Sequence, residues 1–158
     1  LKPFQGSRTG RLLMSQPEGV FHLTDNVLLF AQAVTGVPYN QPQTRSAETV
    51  NGWILEDACE AFEFRIGQAD TTGERCRLHA HIQKSHLIRP FRGFNRAAHA
   101  VIEAAILFSR LHLLDPEEVQ HQLETLQSLV TKTAGEQERQ AFDLIFDQTM
   151  KRSCKPTT

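Results

Sequence analysis

The sequence predicts an α+β fold in which an antiparallel sheet or barrel occupies the first part of the chain and three helices follow. Over residues 61–66, apolar and charged side chains alternate, which is the period of a half-buried strand. Beyond residue 93, apolar side chains recur at helical spacing, and helix-ending residues separate three such segments. The change of period divides the chain into a strand-rich part, residues 1–90, and a helical part, residues 91–158.

Length and composition suit a soluble globular domain, or one domain with a small appendage. The 158 residues are 40% hydrophobic and 22% charged, and the formal net charge is -1. Because this charge is close to zero, no overall field draws the chain to nucleic acid or to an anionic membrane. No apolar run is long enough to span a bilayer. We therefore expect neither nucleic acid nor a membrane as a partner.

The cysteines and the first residue give two further expectations. Cys59, Cys76 and Cys154 are an odd number without a Cys-x-x-Cys pair. A disulfide framework and a thiolate zinc site are both disfavoured, and reduced thiols in the cytoplasm are the simplest interpretation. The sequence begins at Leu1, without Met, in a segment of strand character, and we expect further residues to precede it.

In the strand-rich part, short apolar runs alternate with turn residues. Gly36 and Pro38 end the one predicted helix of substantial length, and residues 37–49, rich in Pro and Gln, are predicted to form a polar surface excursion. The predicted elements, in order, are a strand at 1–4, a short helix at 11–15, a strand at 19–23, a helix at about 25–35 capped by Thr24 or Asp25, and strands at 52–55, 61–66 and 75–84, the last two joined by a turn at 70–73.

In the helical part, the clearest boundary is Asp115, which combines an N-cap residue with Pro116 and two glutamates in the first turn. A first helix is predicted from residue 93 to about residue 114. A second begins after Asp115 and ends at Gly135. A third follows with an apolar stripe, and residues from 153 onward are a polar tail.

The first C-terminal helix carries a narrow polar stripe on an otherwise apolar surface. Arg96, His99, Glu103 and Arg110 fall within roughly 60° at helical spacing. We interpret the stripe as a buried, satisfied polar network at a domain or subunit contact, in which His99 or an arginine partners Glu103. The alternatives are a ligand-facing role and a plain surface stripe.

Residues 5–11 form a turn in which two hydroxyls, two guanidiniums and two glycines occur within seven residues. Glycine lets backbone N–H groups approach a ligand closely, and hydroxyl and guanidinium groups donate hydrogen bonds to phosphate oxygens. A helix that starts after this turn would point its N-terminus at the same anion. The turn predicts half of a phosphate-bearing cofactor site, and an ordinary basic turn is the alternative.

His22 ends the predicted strand at 19–23, next to Thr24 and Asp25. Its imidazole is a candidate contact for a flavin ring or a substrate. A structural hydrogen bond to Thr24 or Asp25 explains the position equally well.

Several chemistries lack the residues that they require. The sequence has no Gly-x-Ser-x-Gly motif, no Walker loop and no Gly-x-Gly-x-x-Gly motif, so hydrolase and nucleoside-triphosphatase functions have no support. His79 and His81 share one strand face, but without an identified third ligand they are better interpreted as surface histidines than as a metal site. No residue stands out by its spacing as an acid or base catalyst.

Five segments, in this order, resemble the uncharacterised family catalogued as domain of unknown function 447. Together they cover nearly the whole chain apart from the Pro/Gln-rich loop and the tail, and the fourth is the most specific. They are KPFQGSRTGRLL, VFHLTDNVLL, GWILEDACEAFEFRI, GFNRAAHAVIEAAILFSRLHLL and KTAGEQERQAFDLI.

The resemblance implies a fold, a cofactor and an assembly. It implies a flavin-reductase-like antiparallel split β-barrel followed by a helical C-terminal unit, a homodimer, and FMN bound at its interface. The family's N-terminal strands, which also help to hold the flavin, are absent from this sequence. The cofactor-binding residues carried over are Gln5, Gly6, Ser7, Arg8 and Thr9 at the phosphate, and His22 and Thr24 beside the isoalloxazine ring.

The predicted function is that of an FMN-binding flavoprotein, with an oxidoreductase in pterin-linked one-carbon metabolism as the activity that the family context suggests. The main alternative is a non-enzymatic split-barrel module that has lost flavin and acts through a partner. A third interpretation places a pterin or another phosphorylated cofactor in the same pocket.

Overall fold

The computed structural model describes residues 1–37 and 41–153, and contacts group them into two compact units. The first unit comprises residues 1–24 and 42–91, and the second comprises the described parts of residues 25–41 and 92–158. The predicted α+β class is confirmed. The elements are α1 (Arg8–Ser15), β1 (Glu18–Leu23), α2 (Val27–Thr35), β2 (Thr44–Ser46), β3 (Trp53–Leu55), β4 (Glu60–Asp70), β5 (Arg77–Leu87), α3 (Arg96–Ser109), α4 (Pro116–Thr133) and α5 (Glu136–Ser153).

The centre of the first unit is an antiparallel sheet in the order β1-β4-β5. Phe21 of β1 pairs with Phe62 of β4, which pairs with Ser85 of β5. Because directly paired residues point to the same face, one face of the sheet is apolar and carries Phe64, which is 6% exposed. The alternation predicted for residues 61–66 is therefore present within a longer strand.

The chain enters this sheet along the far edge of β5. The backbone N–H groups of Leu78 and Cys76 donate to the carbonyls of Leu1 and Pro3, both at 2.9 Å, and Phe4 forms an isolated bridge with Arg75. Helix α1 then leads to β1 on the opposite edge. Helix α1 begins at Arg8, three residues before the predicted start, because Ser7 is its N-cap.

A second antiparallel sheet consists of the two short strands β2 and β3. Strand β2 lies within residues 37–49, where the sequence predicted only a surface excursion. Its sequence, Thr-Arg-Ser, has no apolar side chain to indicate a strand, and pairing with β3 creates it. Pro38, within the same predicted excursion, lies outside the described residues.

The second unit is helical and includes one helix more than the three that were predicted. Helices α3, α4 and α5 are present, and α2, from the first part of the sequence, packs with α3 and α5. The N-cap of α2 is Asn26, whose side chain accepts from the N–H groups of Leu28 and Leu29. The fully buried core side chains include Ala31, Val101, Ala104, Leu123, Phe142 and Ile145.

Within the chain, the burial and the pairing of Glu103 that were expected on α3 are absent among the described residues. Arg96, His99, Glu103 and Arg110 are all exposed, and the structure shows no hydrogen bond or ion pair for Glu103 with another described residue. Burial instead follows the small and apolar side chains at positions 97, 100, 101, 104 and 108. The small alanines let neighbouring helices approach closely, which leaves the polar stripe on the outer side.

The described strands form a three-stranded and a two-stranded antiparallel sheet. Among the described residues, no helix combines the length and apolarity that a membrane span requires.

Candidate functional site

The predicted phosphate turn is the entry to α1, and the side chains of Gln5, Ser7 and Arg11 hold it together. Arg11 Nη1 donates to the carbonyl of Gly6 at 2.7 Å. Ser7 Oγ accepts from the N–H of Gly10 at 3.0 Å and donates to the carbonyl of Phe4 at 2.7 Å. Gln5 Nε2 donates to the carbonyl of Gly73 at 3.0 Å and also to that of Thr71. These two predicted ligands therefore already have backbone partners, and they fix the shape of the turn.

Arg8 and Thr9 carry hydrogen-bond donors that the turn itself does not use. Arg8 and Thr9 are the first two helical residues, so their N–H groups have no partner inside α1. Both residues are exposed, and the structure shows no hydrogen bond from them to any other described residue. The Arg8 guanidinium and the Thr9 hydroxyl are available in the same turn. A helix N-terminus with a neighbouring guanidinium is a favourable environment for phosphate.

A small cleft of about 370 Å³ opens beside this turn and adds two cations that sequence reasoning missed. Ser7 and Thr9 line it together with Lys2 and Arg75. The Arg75 guanidinium lies 3.7 Å from the centroid of the Phe4 ring and donates to the carbonyl of Lys2 at 3.3 Å. Only the pairing of residues 1–4 with the start of β5 brings these residues together, so no local pattern could have indicated them.

A second cleft, of about 460 Å³, lies between α1 and β1 and is mostly apolar. Leu12 and Leu13 of α1 face Gly19 and Phe21 of β1 across it, with Phe64 of β4 in its lining. It shares Leu1, Thr9 and Leu13 with the smaller cleft. The two clefts therefore adjoin at the first turns of α1.

His22 has a structural partner on the opposite side of β1. Its Nε2 accepts from the N–H of Leu55 at 3.0 Å, so this nitrogen is unprotonated and the neutral ring carries its proton on Nδ1. Burial lowers the pKa of His22 below its ordinary value of 6.5, in agreement with a neutral ring. The hydrogen bond predicted from His22 to Thr24 or Asp25 is replaced by one to β3.

The structure groups five of the predicted site residues and separates the other two from them. Gln5, Gly6, Ser7, Arg8 and Thr9 form one continuous turn, whereas His22 and Thr24 lie at and just beyond the C-terminal end of β1. By alternation, Gly19 and Phe21, which line the apolar cleft, and His22 belong to opposite faces of the sheet. Within the described part of the chain, no group of three or more His, Cys, Asp or Glu side chains could hold a metal ion.

A buried carboxylate with five hydrogen-bond donors around it, Glu63, was not singled out from the sequence. It is fully buried and accepts from the N–H groups of Glu48, Thr49 and Val50 at 2.6–3.2 Å. The Thr49 hydroxyl and His86 Nε2 also donate to it, at 2.6 and 2.7 Å. Burial alone would raise the pKa of Glu63, but these hydrogen bonds lower it to about 2.

The neighbours of Glu63 indicate a structural role. Arg45 Nη2 lies 3.3 Å from His86 Nδ1, and because arginine can only donate, His86 Nε2 donates to Glu63. The carboxylate therefore fixes the turn at residues 48–50 against β4. The alternation at residues 61–66 placed Glu63 on the polar face of the strand but gave no sign that β2 and the turn after it would cover this face.

Comparisons with known proteins give a family and a fold. A family model described as "Protein of unknown function (DUF447) N-terminal domain" matches residues 1–89, and one described as "Protein of unknown function (DUF447)" matches residues 95–147. No curated protein matches the chain. Among solved structures, the chain is similar to the FMN-bound protein MM1853 from Methanosarcina mazei, with 18% identity, a TM-score of 0.76, and coverage of 94% of this chain and 80% of that chain.

Proposed function

Because this chain belongs to the DUF447 family, we propose that it is an FMN-binding flavoprotein whose first unit holds the cofactor phosphate at the start of α1. The observation that carries the proposal is the pair of N–H groups of the exposed residues Arg8 and Thr9, which have no partner among the described residues. The similarity in fold to an FMN-bound protein supports it.

The residues of the turn fit a phosphate. A phosphate dianion requires several hydrogen-bond donors and a compensating positive charge. The Arg8 and Thr9 N–H groups, the Thr9 hydroxyl and the Arg8 guanidinium supply both. A Cβ atom at Gly6 would meet nothing within 4 Å, so the space outside the turn is open to a ligand. Gln5 and Ser7 then act as positioning residues that hold these donors in place.

The proposal extends to His22 and Thr24 as neighbours of the flavin ring. With Nε2 engaged by Leu55, the Nδ1–H of His22 is a hydrogen-bond donor that no described residue accepts. Bound flavin would supply redox chemistry, and the protein would bind and orient it. An oxidoreductase is the activity class that this chemistry suggests, while a link to pterin-dependent metabolism rests on the family resemblance.

We also propose that the strands belong to a split barrel and that two copies of the chain associate. Leu23, Ile82 and Leu87 lie on the apolar face of the three-stranded sheet and are 44%, 54% and 83% exposed. Exposed apolar side chains on one face of a sheet are typical of association surfaces. A second copy that covers this face would remove them from water.

The test is a titration of the purified protein with FMN, FAD and a reduced pterin, followed by flavin absorbance and fluorescence. The proposal predicts saturable FMN binding with one site per chain and a perturbed flavin spectrum. A protein that stays colourless and does not bind added FMN would support the alternative, a binding module that has lost flavin. Preferential binding of the pterin would place a different cofactor in the site.

Arg8→Ala tests the phosphate contact. Loss of one charge-assisted hydrogen bond, roughly 1.5–3 kcal/mol, should weaken FMN binding about ten- to a hundredfold. Riboflavin, which lacks the phosphate, should bind Arg8→Ala as it binds the parent. Arg96→Ala is the matched control, because Arg96 is also exposed at the first position of a helix, in the other unit. Equal losses for FMN and riboflavin would contradict the contact.

A further inference from the structure

We propose that the apolar cleft between α1 and β1 binds the planar ring system of the flavin, an inference that rests on the proposed FMN function and adds a second subsite to it. The cleft has a volume of about 460 Å³, within the range of about 300–1,000 Å³ that is usual for small-molecule sites. Its walls are mostly aliphatic and aromatic, as such sites require.

Two walls of the cleft offer apolar surface that is still exposed to water. Leu12 of α1 is 49% exposed and Phe21 of β1 is 48% exposed, and both line the cleft. An aromatic ring between them would remove apolar surface of protein and ligand from water together, which is favourable at roughly 25 cal/mol per Å². The Phe21 ring also offers a stacking partner to a planar ligand.

Gly19 keeps this part of the cleft free of side chains. It pairs with Phe64 across β1 and β4, so both positions belong to the apolar face of the sheet. A Cβ atom at Gly19 would lie 3.3 Å from the Phe64 ring, and a larger side chain would occupy cleft volume. The glycine therefore leaves a flat surface beside Phe21.

The position of the cleft relative to the phosphate turn identifies the class of ligand. Thr9 lines both this cleft and the smaller cleft that holds Lys2 and Arg75. A ligand with a phosphate at the α1 turn can therefore place an attached ring against Leu12 and Phe21. The predicted occupant is an uncharged planar aromatic ring joined to phosphate by a short polar chain. It would lie against Gly19 and Phe21, on the sheet face opposite to the His22 side chain, so this subsite takes the place of the ring contact with His22 proposed above.

The inference is tested with Phe21→Ala and Leu12→Ser, each titrated with FMN and with riboflavin. If the cleft holds the ring, both variants should lose affinity for both flavins by the same factor, about tenfold or more. This pattern differs from that of Arg8→Ala, which should affect FMN alone. Leu113→Ala, which removes a side chain 73% exposed in the other unit, is the control and should bind both flavins like the parent.

The outcomes separate the inference from the function on which it rests. A parent protein that binds neither flavin would overturn both. A parent that binds FMN, together with unchanged affinities in Phe21→Ala and Leu12→Ser, would overturn the ring site and leave FMN binding in place. If Phe21→Ala does not fold, as circular dichroism would show, Leu12→Ser decides the question, because a half-exposed side chain can be shortened at little cost to stability.

Discussion

At the residue scale, Glu63 shows how an ionised side chain can be fully buried when hydrogen-bond donors surround it. Two carboxylate oxygens accept five hydrogen bonds from three backbone N–H groups, one hydroxyl and one imidazole. These donors replace the water that the carboxylate loses on folding. The ionised carboxylate thereby holds the turn at residues 48–50 against β4.

Glu63 should make the protein sensitive to acid. The pKa of Glu63 falls from 4.5 to about 2 on folding, so its contribution to stability is present above pH 4.5 and is lost as the pH falls from 4.5 toward 2. Glu63→Gln should destabilise the fold by about 3 kcal/mol at pH 7. The free energy of unfolding of this variant should also change less than that of the parent between pH 4.5 and pH 2. Urea unfolding between pH 2 and 7 measures both. Glu103→Gln, at an exposed position, is the control and should unfold like the parent at each pH. If Glu63→Gln lost stability below pH 4.5 as steeply as the parent does, the stabilising role of the Glu63 carboxylate would be refuted.

The second prediction at this scale concerns His22. Since burial lowers its pKa and its Nε2 accepts from Leu55, protonation would remove the acceptor. Its contribution to stability is therefore present above pH 6.5 and is lost as the pH falls below this value. An NMR titration of the imidazole should show a pKa below 6.5 and a proton on Nδ1 at neutral pH. A pKa at or above 6.5 would show that the bond to Leu55 does not form in solution.

At the element scale, the start of α4 was predictable from the sequence, whereas the starts of α1 and α2 and the polar strand β2 were not. Asp115 caps α4 through the N–H groups of Glu117 and Glu118, as its sequence predicted. The start of α1 was predicted three residues late, although Ser7 is a good N-cap type. Strand β2 gave no signal, because its three polar residues become a strand only through pairing with β3.

Helix α1 depends on one glycine. A Cβ atom at Gly10 would collide with the carbonyl oxygen of Phe4, so the helix can approach residues 4 and 5 only without a side chain there. Gly10→Ala should destabilise the protein by roughly 1–3 kcal/mol, although alanine is otherwise the better helix former. Thermal unfolding measures the difference. Gly6→Ala is the control, because a Cβ there meets nothing within 4 Å, and an equal effect at both glycines would contradict the close approach.

The polar stripe of α3 shows where helical periodicity misleads. The spacing correctly placed Arg96, His99, Glu103 and Arg110 on one stripe, but it could not decide whether that stripe was inside or outside. The buried side consists largely of alanines, whose small size was less conspicuous than the charges. Glu103→Ala should therefore change the free energy of unfolding by no more than about 0.5 kcal/mol. Chemical unfolding measures this change, and a loss of several kcal/mol would support a buried, paired Glu103 instead.

At the scale of the whole molecule, the features that could not be predicted are those that distant segments build together. Local composition predicted a phosphate turn at residues 5–11, but Lys2 and Arg75 line the cleft beside it only because residues 1–4 pair with residues 75–78. In the same way, α2 follows β1 in the sequence yet packs with the C-terminal helices. Neither arrangement leaves a local signal, because each depends on contacts between residues far apart in the chain.

Self-association is the whole-molecule prediction. Sedimentation at micromolar concentrations should show a species with twice the mass of one chain, held by the apolar sheet face with Leu23, Ile82 and Leu87. Leu87→Glu, which places a charge on this face, should shift the equilibrium to monomer. Leu113→Glu, at a comparably exposed apolar side chain in the helical unit, should not. A parent that sediments as a compact monomer would refute the homodimer.

The most direct test of the proposed cofactor site is a crystal structure of the protein with FMN. We predict the phosphate within hydrogen-bond distance of the Arg8 and Thr9 N–H groups, about 2.7–3.2 Å, and the ring between Leu12 and Phe21. Flavin bound elsewhere on the first unit, with the α1 turn facing only solvent, would contradict the site. Crystals that take up no flavin at saturating FMN would contradict the proposed function as a whole.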